Sequence, residues 1–177
     1  SFTGKINAGY GYIRFQTAEN LFYQAAAQNE LSYSFIIRSA ARNLYHSLIK
    51  IDLKSLPSPS SKSEPYFVHF EDYINRYSST SSVIIQGVKP TESRQLTTIW
   101  TILGFPLCSV AIPTWVAAGE KLPAILTAPC SQNAPLCEKA LLLKKQCFPI
   151  TRGSGKKYLN LSVLLNQQEN GILQILP

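Results

Sequence analysis

The chain has 177 residues, of which 45% are hydrophobic and 15% are charged. This length and apolar content fit one globular domain, or one part of a larger domain, and exclude disordered and collagen-like classes. The net charge of +7 arises from 17 basic against only 10 acidic residues. Because this balance reflects a shortage of acids, we expect a solvated basic face and no nucleic-acid binding.

Two helices are predicted in the first third of the chain. Thr17 is placed to cap a helix that runs through Ala27. Ser32 is predicted to cap a second helix of about 16 residues, on which apolar side chains recur at three- and four-residue steps. Since only residues 28–31 separate the two helices, they are expected to form an antiparallel or strongly bent pair.

A polar loop and the strongest strand pattern follow. The Pro- and Ser-rich stretch Leu56 to Pro65 is predicted to be an exposed loop, and Tyr66 to Tyr73 an extended segment. The β-branched runs Thr80 to Val88 and Leu96 to Leu103 predict an antiparallel hairpin. Val110 to Val116 predicts a third strand.

One uncharged stretch, residues 95–119, is long enough to span a bilayer. It contains several Thr and Ser residues, and Gly104, Pro106 and Pro113 interrupt it. We therefore expect it to form strands within a globular core, and we expect no membrane span.

Two more helices are predicted towards the end of the chain. Pro135 to Gln146 starts with a proline, which suits a first helical turn, and carries Lys144 and Lys145 near its end. Tyr158 to Asn166 is predicted to be a short helix. The order of helix pair, loop, strand hairpin and helices predicts an α+β fold.

The cysteines are Cys108, Cys130, Cys137 and Cys147. They show no C-x-x-C spacing and lie far in sequence from both histidines, so no metal site is expected. An even number of cysteines permits two disulfides in three connectivities. Buried free thiols are the alternative.

A hydrolytic triad is not expected. The chain offers only His46, His69, Asp52 and Asp72 as base and orienting acid, and no serine lies in a G-x-S-x-G elbow. The GSGKK stretch at residues 153–157 departs from the phosphate-binding loop pattern. Both histidines are therefore interpreted as structural, and no cofactor is expected.

Arg76 is the candidate site residue. It lies directly before the first predicted hairpin strand, in a chain with few charges. A guanidinium at this position can orient a carboxylate or a catalytic Asn through bidentate hydrogen bonds. An ordinary exposed loop arginine is the alternative.

Several stretches together resemble one family. They read SFTG, GYGYIRF, RYSSTSSVIIQGV, LTTIWTILGFPL, VAIPTWVAAGEKLP and TRGSGKKYLNL. They resemble the C-terminal part of Bacteroidetes-type members of the acyl-coenzyme A:6-aminopenicillanic acid acyltransferase-like family of linear amide C–N hydrolases. The resemblance implies an N-terminal-nucleophile (Ntn) hydrolase with an αββα sandwich. Residues 1–177 would be a single domain, or the C-terminal half or subunit of such a domain.

The resemblance also implies what this chain contributes to catalysis. In the family, an N-terminal Cys uncovered by autoproteolysis attacks the amide carbonyl, and its own α-amine is the base. None of the cysteines here maps onto that nucleophile. Only Arg76 matches a family active-site position, and Arg14 is expected to fix the helix pair to the sheet. The implied function is part of a penicillin acylase-like amidohydrolase or acyltransferase with a small acyl-amide substrate, and this chain alone is expected to be inactive.

The location and the partner follow from the same resemblance, and the implied location permits the disulfides that we predict. A periplasmic or extracellular location is implied, and it would permit thiol oxidation. We predict the pairs Cys137–Cys147 and Cys108–Cys130, the first of which requires the chain to fold back directly after a helix. The expected partner is an N-terminal half or chain that carries the nucleophile, and a homo-oligomer is an open alternative.

Two other functions stay open. Ser1 offers an N-terminal nucleophile with its own amine as base, although the Phe2-Thr3-Gly4 segment that follows resembles an internal family segment. The chain is alternatively a non-catalytic structural or binding module. A second chain that begins with Cys would distinguish the enzyme from the module.

Overall fold

The computed structural model describes residues 11–56, 66–130, 132–153 and 155–167. The α-helices within these residues are α1 (Tyr12–Ala27), α2 (Tyr33–Phe35), α3 (Pro135–Cys147) and α4 (Leu161–Gln167). The strands are β1 (Tyr45–His46), β2 (Ile51–Asp52), β3 (Phe67–His69), β4 (Ser81–Gln86), β5 (Thr98–Leu103), β6 (Ile112–Trp115), β7 (Ile150–Arg152) and β8 (Lys156–Asn160). In the described part of the chain these strands form three antiparallel sheets, with the orders β1-β2, β3-β8-β7 and β4-β5-β6. This mixture of helix and sheet confirms the α+β class. Ser1 and residues 57–65 of the predicted loop lie outside the described residues.

Helix α1 begins earlier than predicted. Gly11, in the left-handed region at φ 77°, precedes its first residue, Tyr12. Thr17 is buried inside the helix, where its hydroxyl donates to the carbonyl of Ile13 at 2.8 Å. The prediction of Thr17 as N-cap is therefore wrong, because the hydroxyl bonds to the preceding helical turn. The predicted end at Ala27 is confirmed.

The second helix starts as predicted but is much shorter than predicted. The Ser32 hydroxyl caps it by accepting the Phe35 amide at 3.1 Å. After α2 the chain makes a π-helical turn, Ile36–Ala40, and then leaves helical geometry. The predicted length is wrong because Arg42 is drawn into the interior, where it donates to the backbone carbonyl of Ser109. Tertiary hydrogen bonding thus overrides helical periodicity here.

The sheet β4-β5-β6 confirms the predicted hairpin and the predicted third strand. Strand β4 pairs with β5 in the register Ile84↔Trp100, and β5 pairs with β6 in the register Trp100↔Pro113. A smaller hydrophobic cluster holds one face of this sheet against the π-helical segment. It consists of Ile37, Ala41, Ile84, Ile102 and Ala111.

The sheet β3-β8-β7 differs from prediction at its central strand. Phe67–His69 is extended, as predicted for part of residues 66–73. Residues 156–160 form β8, whereas the sequence predicted a helix from Tyr158 onwards. That prediction is wrong at its start because β8 pairs with both β3 and β7, which satisfies its backbone polar groups on both sides. The helical part begins only at Leu161, with α4.

Helix α3 confirms the predicted helix over residues 135–146 and positions the main core. The larger cluster joins the sheet β3-β8-β7 to α4, the end of α3 and the 3-10 turn Pro106–Cys108. Its buried residues are Leu44, Leu53, Phe70, Tyr73, Phe105, Leu107, Cys108, Cys147, Phe148, Leu159, Leu161 and Leu164. The candidate site lies beside this cluster.

Both predicted disulfide pairings are wrong. Cys137 and Cys147 stand near opposite ends of α3, which separates them by about 15 Å along the helix axis. A disulfide requires Cα atoms within about 7 Å of each other. Cys108 is a buried free thiol that faces Cys147, with the two sulfurs 3.8 Å apart, whereas Cys130 is exposed at the surface.

Candidate functional site

Arg76 lies in a tight turn that leads into β4. Its backbone amide donates to the Ser79 hydroxyl at 3.0 Å, and the Ser79 amide donates back to the Arg76 carbonyl at 2.9 Å. The side chain of Arg76 is exposed. The turn therefore fixes the backbone at Arg76 and leaves the guanidinium directed to the surface, where a ligand or a second chain can reach it.

Arg14 lies close enough to Arg76 for their charges to interact. Its Nη1 donates to the backbone carbonyl of Glu71 at 2.6 Å, so it ties α1 to the segment after β3. Partial burial, followed by the positive charge of Arg76, lowers the pKa of Arg14, while Asp72 and Glu71 act in the opposite direction. Two guanidinium groups thus share one region at the base of the first hairpin strand.

The histidines occupy structural positions. His46 is buried in β1, with the Ile49 amide donating to its Nδ1 at 3.5 Å and its ring 5.3 Å from that of Tyr73 in an edge contact. His69 makes a similar edge contact with Tyr158 at 5.7 Å. Within the described residues, no group of three or more His, Cys, Asp or Glu side chains is arranged to hold a metal ion.

Lys144 is the residue of this site that the sequence prediction missed. Its side chain lies in the interior with 7% of its surface exposed. The ammonium stands 4.3 Å from the ring centre of Tyr77 and 5.2 Å from that of Phe105, which are cation–π distances. It also donates to the carbonyl of Ser79 at 3.5 Å. Lys144 therefore anchors the Arg76–Ser79 turn to α3.

Burial gives this lysine an altered acidity. It lowers the pKa of Lys144, because a charged ammonium is poorly solvated in the interior, and the ionisable Cys108 acts in the opposite direction. The aromatic rings of Tyr77 and Phe105 partly replace the lost solvation of the charged form. Lys144 can therefore fix the turn as a cation.

A small cavity of about 210 Å³ adjoins this lysine. Tyr77, Lys144 and Lys145 supply a ring and two amines to its wall, and Leu141 and Leu142 supply apolar surface. A larger groove of about 560 Å³ lies elsewhere, between α1 and the β1-β2 hairpin. Arg76 lines neither of these two spaces.

The spacing of residues on α3 is the signal that identifies Lys144. The buried positions of the helix are Leu136, Ala140, Lys144 and Cys147, at steps of four, four and three. This is the period of one helical face, so Lys144 occupies an apolar stripe in the sequence itself. This spacing of residues can be read from the amino-acid sequence alone.

Comparisons with protein-family models, with curated proteins and with solved structures give no match for this chain. Among the described residues, no helix has the length and apolar character needed to cross a membrane.

Proposed function

We propose that this chain is part of an N-terminal-nucleophile amidohydrolase or acyltransferase that acts on linear amide C–N bonds. The nucleophilic Cys belongs to a preceding part of the enzyme, and the chain alone does not hydrolyse amides. One observation carries the proposal: the sheet β4-β5-β6 is covered on one face and presents apolar side chains on the other.

The covered face carries Ile84 of β4 and Ile102 of β5, whose partners in the register are Trp100 and Ser82. Ile84 is 8% exposed and Ile102 is fully buried, and both pack against Ile37 of the π-helical segment. In a sheet, residues that pair directly lie on the same face, and successive residues alternate between faces. One face of the sheet is therefore the interface with a helical layer.

The opposite face carries apolar side chains in solvent. Val83 is 57% exposed and Ile85 is 70% exposed, although both lie within a strand. Ile85 pairs with Ile99, which is partly exposed on the same face. Burial of one such side chain stabilises a protein by about 1.5–3 kcal/mol. In an αββα sandwich a second sheet packs on this face, which is why the open face favours the proposal.

Arg76 supplies the electrostatic part of the proposed site. A fixed guanidinium stabilises the oxyanion that develops when an amide carbonyl is attacked, or orients an Asn donor that does so. The hydrogen-bonded turn with Ser79 and the anchor from Lys144 hold the backbone at Arg76 in place. The attacking thiol and its amine base come from the part that precedes this chain.

A non-catalytic binding module is the second candidate, because the same open face would also receive a partner protein. The two candidates differ in amide hydrolysis by the complete assembly. Ser1 lies outside the described residues, and hydrolysis by the isolated chain would favour it as nucleophile.

The test compares two arginine variants in the complete enzyme, with penicillin V and a simple acyl amide as substrates. Arg76→Ala is expected to lower kcat/KM by at least about 100-fold, as loss of an oxyanion-stabilising donor does. Arg94→Ala is the matched control, since Arg94 is an exposed arginine in the connection between β4 and β5. Equal activity of the two variants would contradict the role of Arg76, and a complete assembly without amide hydrolysis would favour the binding module.

A further inference from the structure

We infer that Cys108 and Cys147 are a site of disulfide formation that joins the end of α3 to the turn after β5. The inference is independent of the proposed function. It rests on two thiols, 39 positions apart in sequence, whose sulfur atoms lie 3.8 Å apart in the interior.

The two cysteines approach from separate elements. Cys108 ends the 3-10 turn Pro106–Cys108, and Cys147 is the last residue of α3. Both are almost fully buried, at 2% and 0% exposure. A disulfide bond requires the two sulfurs to be about 2.05 Å apart. Because the sulfurs are already 3.8 Å apart, rotation of the two side chains can bring them to that distance.

The side chains of Gln167 and Lys144 bring polar groups near the pair. The Gln167 side-chain oxygen lies 3.4 Å from the Cys147 sulfur and 3.7 Å from the Cys108 sulfur. Otherwise the thiols lie within the larger core cluster. Their mutual hydrogen bond, and then burial, raise the pKa of the Cys108 thiol, so the folded pair reacts slowly with external reagents.

The oxidant is a small disulfide such as oxidised glutathione, and it acts before folding is complete or while α4 is locally open. One cysteine thiolate attacks a sulfur of the oxidant, forming a mixed disulfide and releasing one glutathione thiolate. The second cysteine then attacks the protein sulfur of the mixed disulfide and releases the second glutathione. The protein loses two protons and two electrons, which is two hydrogen atoms in mass, and one glutathione disulfide takes them up to become two glutathione thiols.

The experiment refolds the full chain in a glutathione redox buffer and maps the peptides without reduction. The expected result is one cross-linked peptide pair that contains Cys108 and Cys147. The intact mass is expected to fall by two hydrogen atoms. The melting temperature of the oxidised protein is expected to exceed that of the reduced protein by on the order of 10 °C, because the bond closes a loop of this length.

Three variants make the result decisive. Cys108→Ala and Cys147→Ala should each abolish the cross-link. The double variant Cys130→Ala/Cys137→Ala should retain it in full, and it keeps both core thiols if the core variants fail to fold. A link that joins Cys108 to Cys130, or four thiols that persist after refolding in the oxidising buffer, would overturn the inference.

Discussion

The guanidinium of Arg42 donates through Nη2 to the backbone carbonyl of Ser109 at 2.7 Å, across 67 positions of sequence. Its Nε donates to the carbonyl of Pro106 at 3.3 Å, and the residue is fully buried. Burial, followed by the charge of Arg38, lowers the pKa of Arg42. One side chain thus links the end of the helical segment to the turn that follows β5.

Replacement of Arg42 by lysine is expected to lower the free energy of unfolding by about 2–4 kcal/mol. The reason is that a single ammonium cannot donate to the carbonyls of both Pro106 and Ser109 as the planar guanidinium does. Urea unfolding of the two proteins measures the difference. Arg94→Lys is the matched control and should change stability by less than about 0.5 kcal/mol, since Arg94 is exposed. Equal effects of the two substitutions would show that the Arg42 hydrogen bonds do not stabilise the fold.

The two faces of the sheet β4-β5-β6 predict opposite sensitivities to truncation. Ile102→Ala should destabilise the chain by about 2–5 kcal/mol, since Ile102 is fully buried and a cavity would remain. Ile85→Ala should cost less than about 1 kcal/mol, because Ile85 is 70% exposed. Chemical denaturation of both variants provides the comparison. A large loss at Ile85 in the isolated chain would mean that its face is already covered.

Gly104 is expected to resist substitution for two separate reasons. It has φ 77°, and a Cβ added there would stand 2.6 Å from the Ala140 Cβ. Gly104→Ala should therefore cost more than about 2 kcal/mol, from backbone strain and from overlap with α3. Gly119→Ala tests backbone strain without overlap, because Gly119 has φ 55° and open space around its Cβ position. Thermal unfolding measures both variants. A larger fall in melting temperature for Gly119→Ala than for Gly104→Ala would contradict the close packing of Gly104 against Ala140.

Tyr73 makes stability depend on alkaline pH. Burial raises the pKa of Tyr73 to about 12, whereas an unfolded tyrosine titrates near about 10. Between these values the folded state keeps the proton and the unfolded state loses it, so stability present below pH about 10 falls as the pH rises towards 12.

Tyr73→Phe should remove about 1.3 kcal/mol of the stability lost between pH about 9 and pH about 11, and urea unfolding at those two pH values measures it. Tyr23→Phe is the control because Tyr23 is 77% exposed. Its unfolding free energy should change with pH as that of the unmodified chain does. The same pH dependence in Tyr73→Phe would contradict the assignment.

The hairpin was predictable because its information is local. The β-branched residues of β4 and β5 favour strands, and the connection between them is short enough to bring them together. The N-terminus of α3 was predictable for a similar reason, since Pro135 suits a first helical turn.

The second helix and strand β8 were not predictable from local pattern. Residues 41–48 have a helical period, but Arg42 is held by carbonyls about 65 positions away, and no short-range signal reveals those partners. Likewise, Tyr158 and Leu159 join β8 because β3 and β7 flank them. In both places long-range hydrogen bonding decides the local conformation.

The candidate site was predictable only in part. Arg76 stands before the first hairpin strand, as expected from the sequence, and its catalytic role stays a prediction. Lys144 was missed although its spacing on α3 places it among buried residues. The proximity of Cys108 and Cys147 depends on how α3 packs on the turn after β5, which sequence spacing does not reveal.

We propose that these residues follow the nucleophile of an Ntn amidohydrolase, and intact-mass analysis of the protein purified from its natural source is the sharpest test. We expect a polypeptide that begins with Cys, either continuous with these residues or present as a second chain, in a preparation that hydrolyses acyl amides. Amide hydrolysis by a preparation that contains only the chain beginning at Ser1 would contradict it.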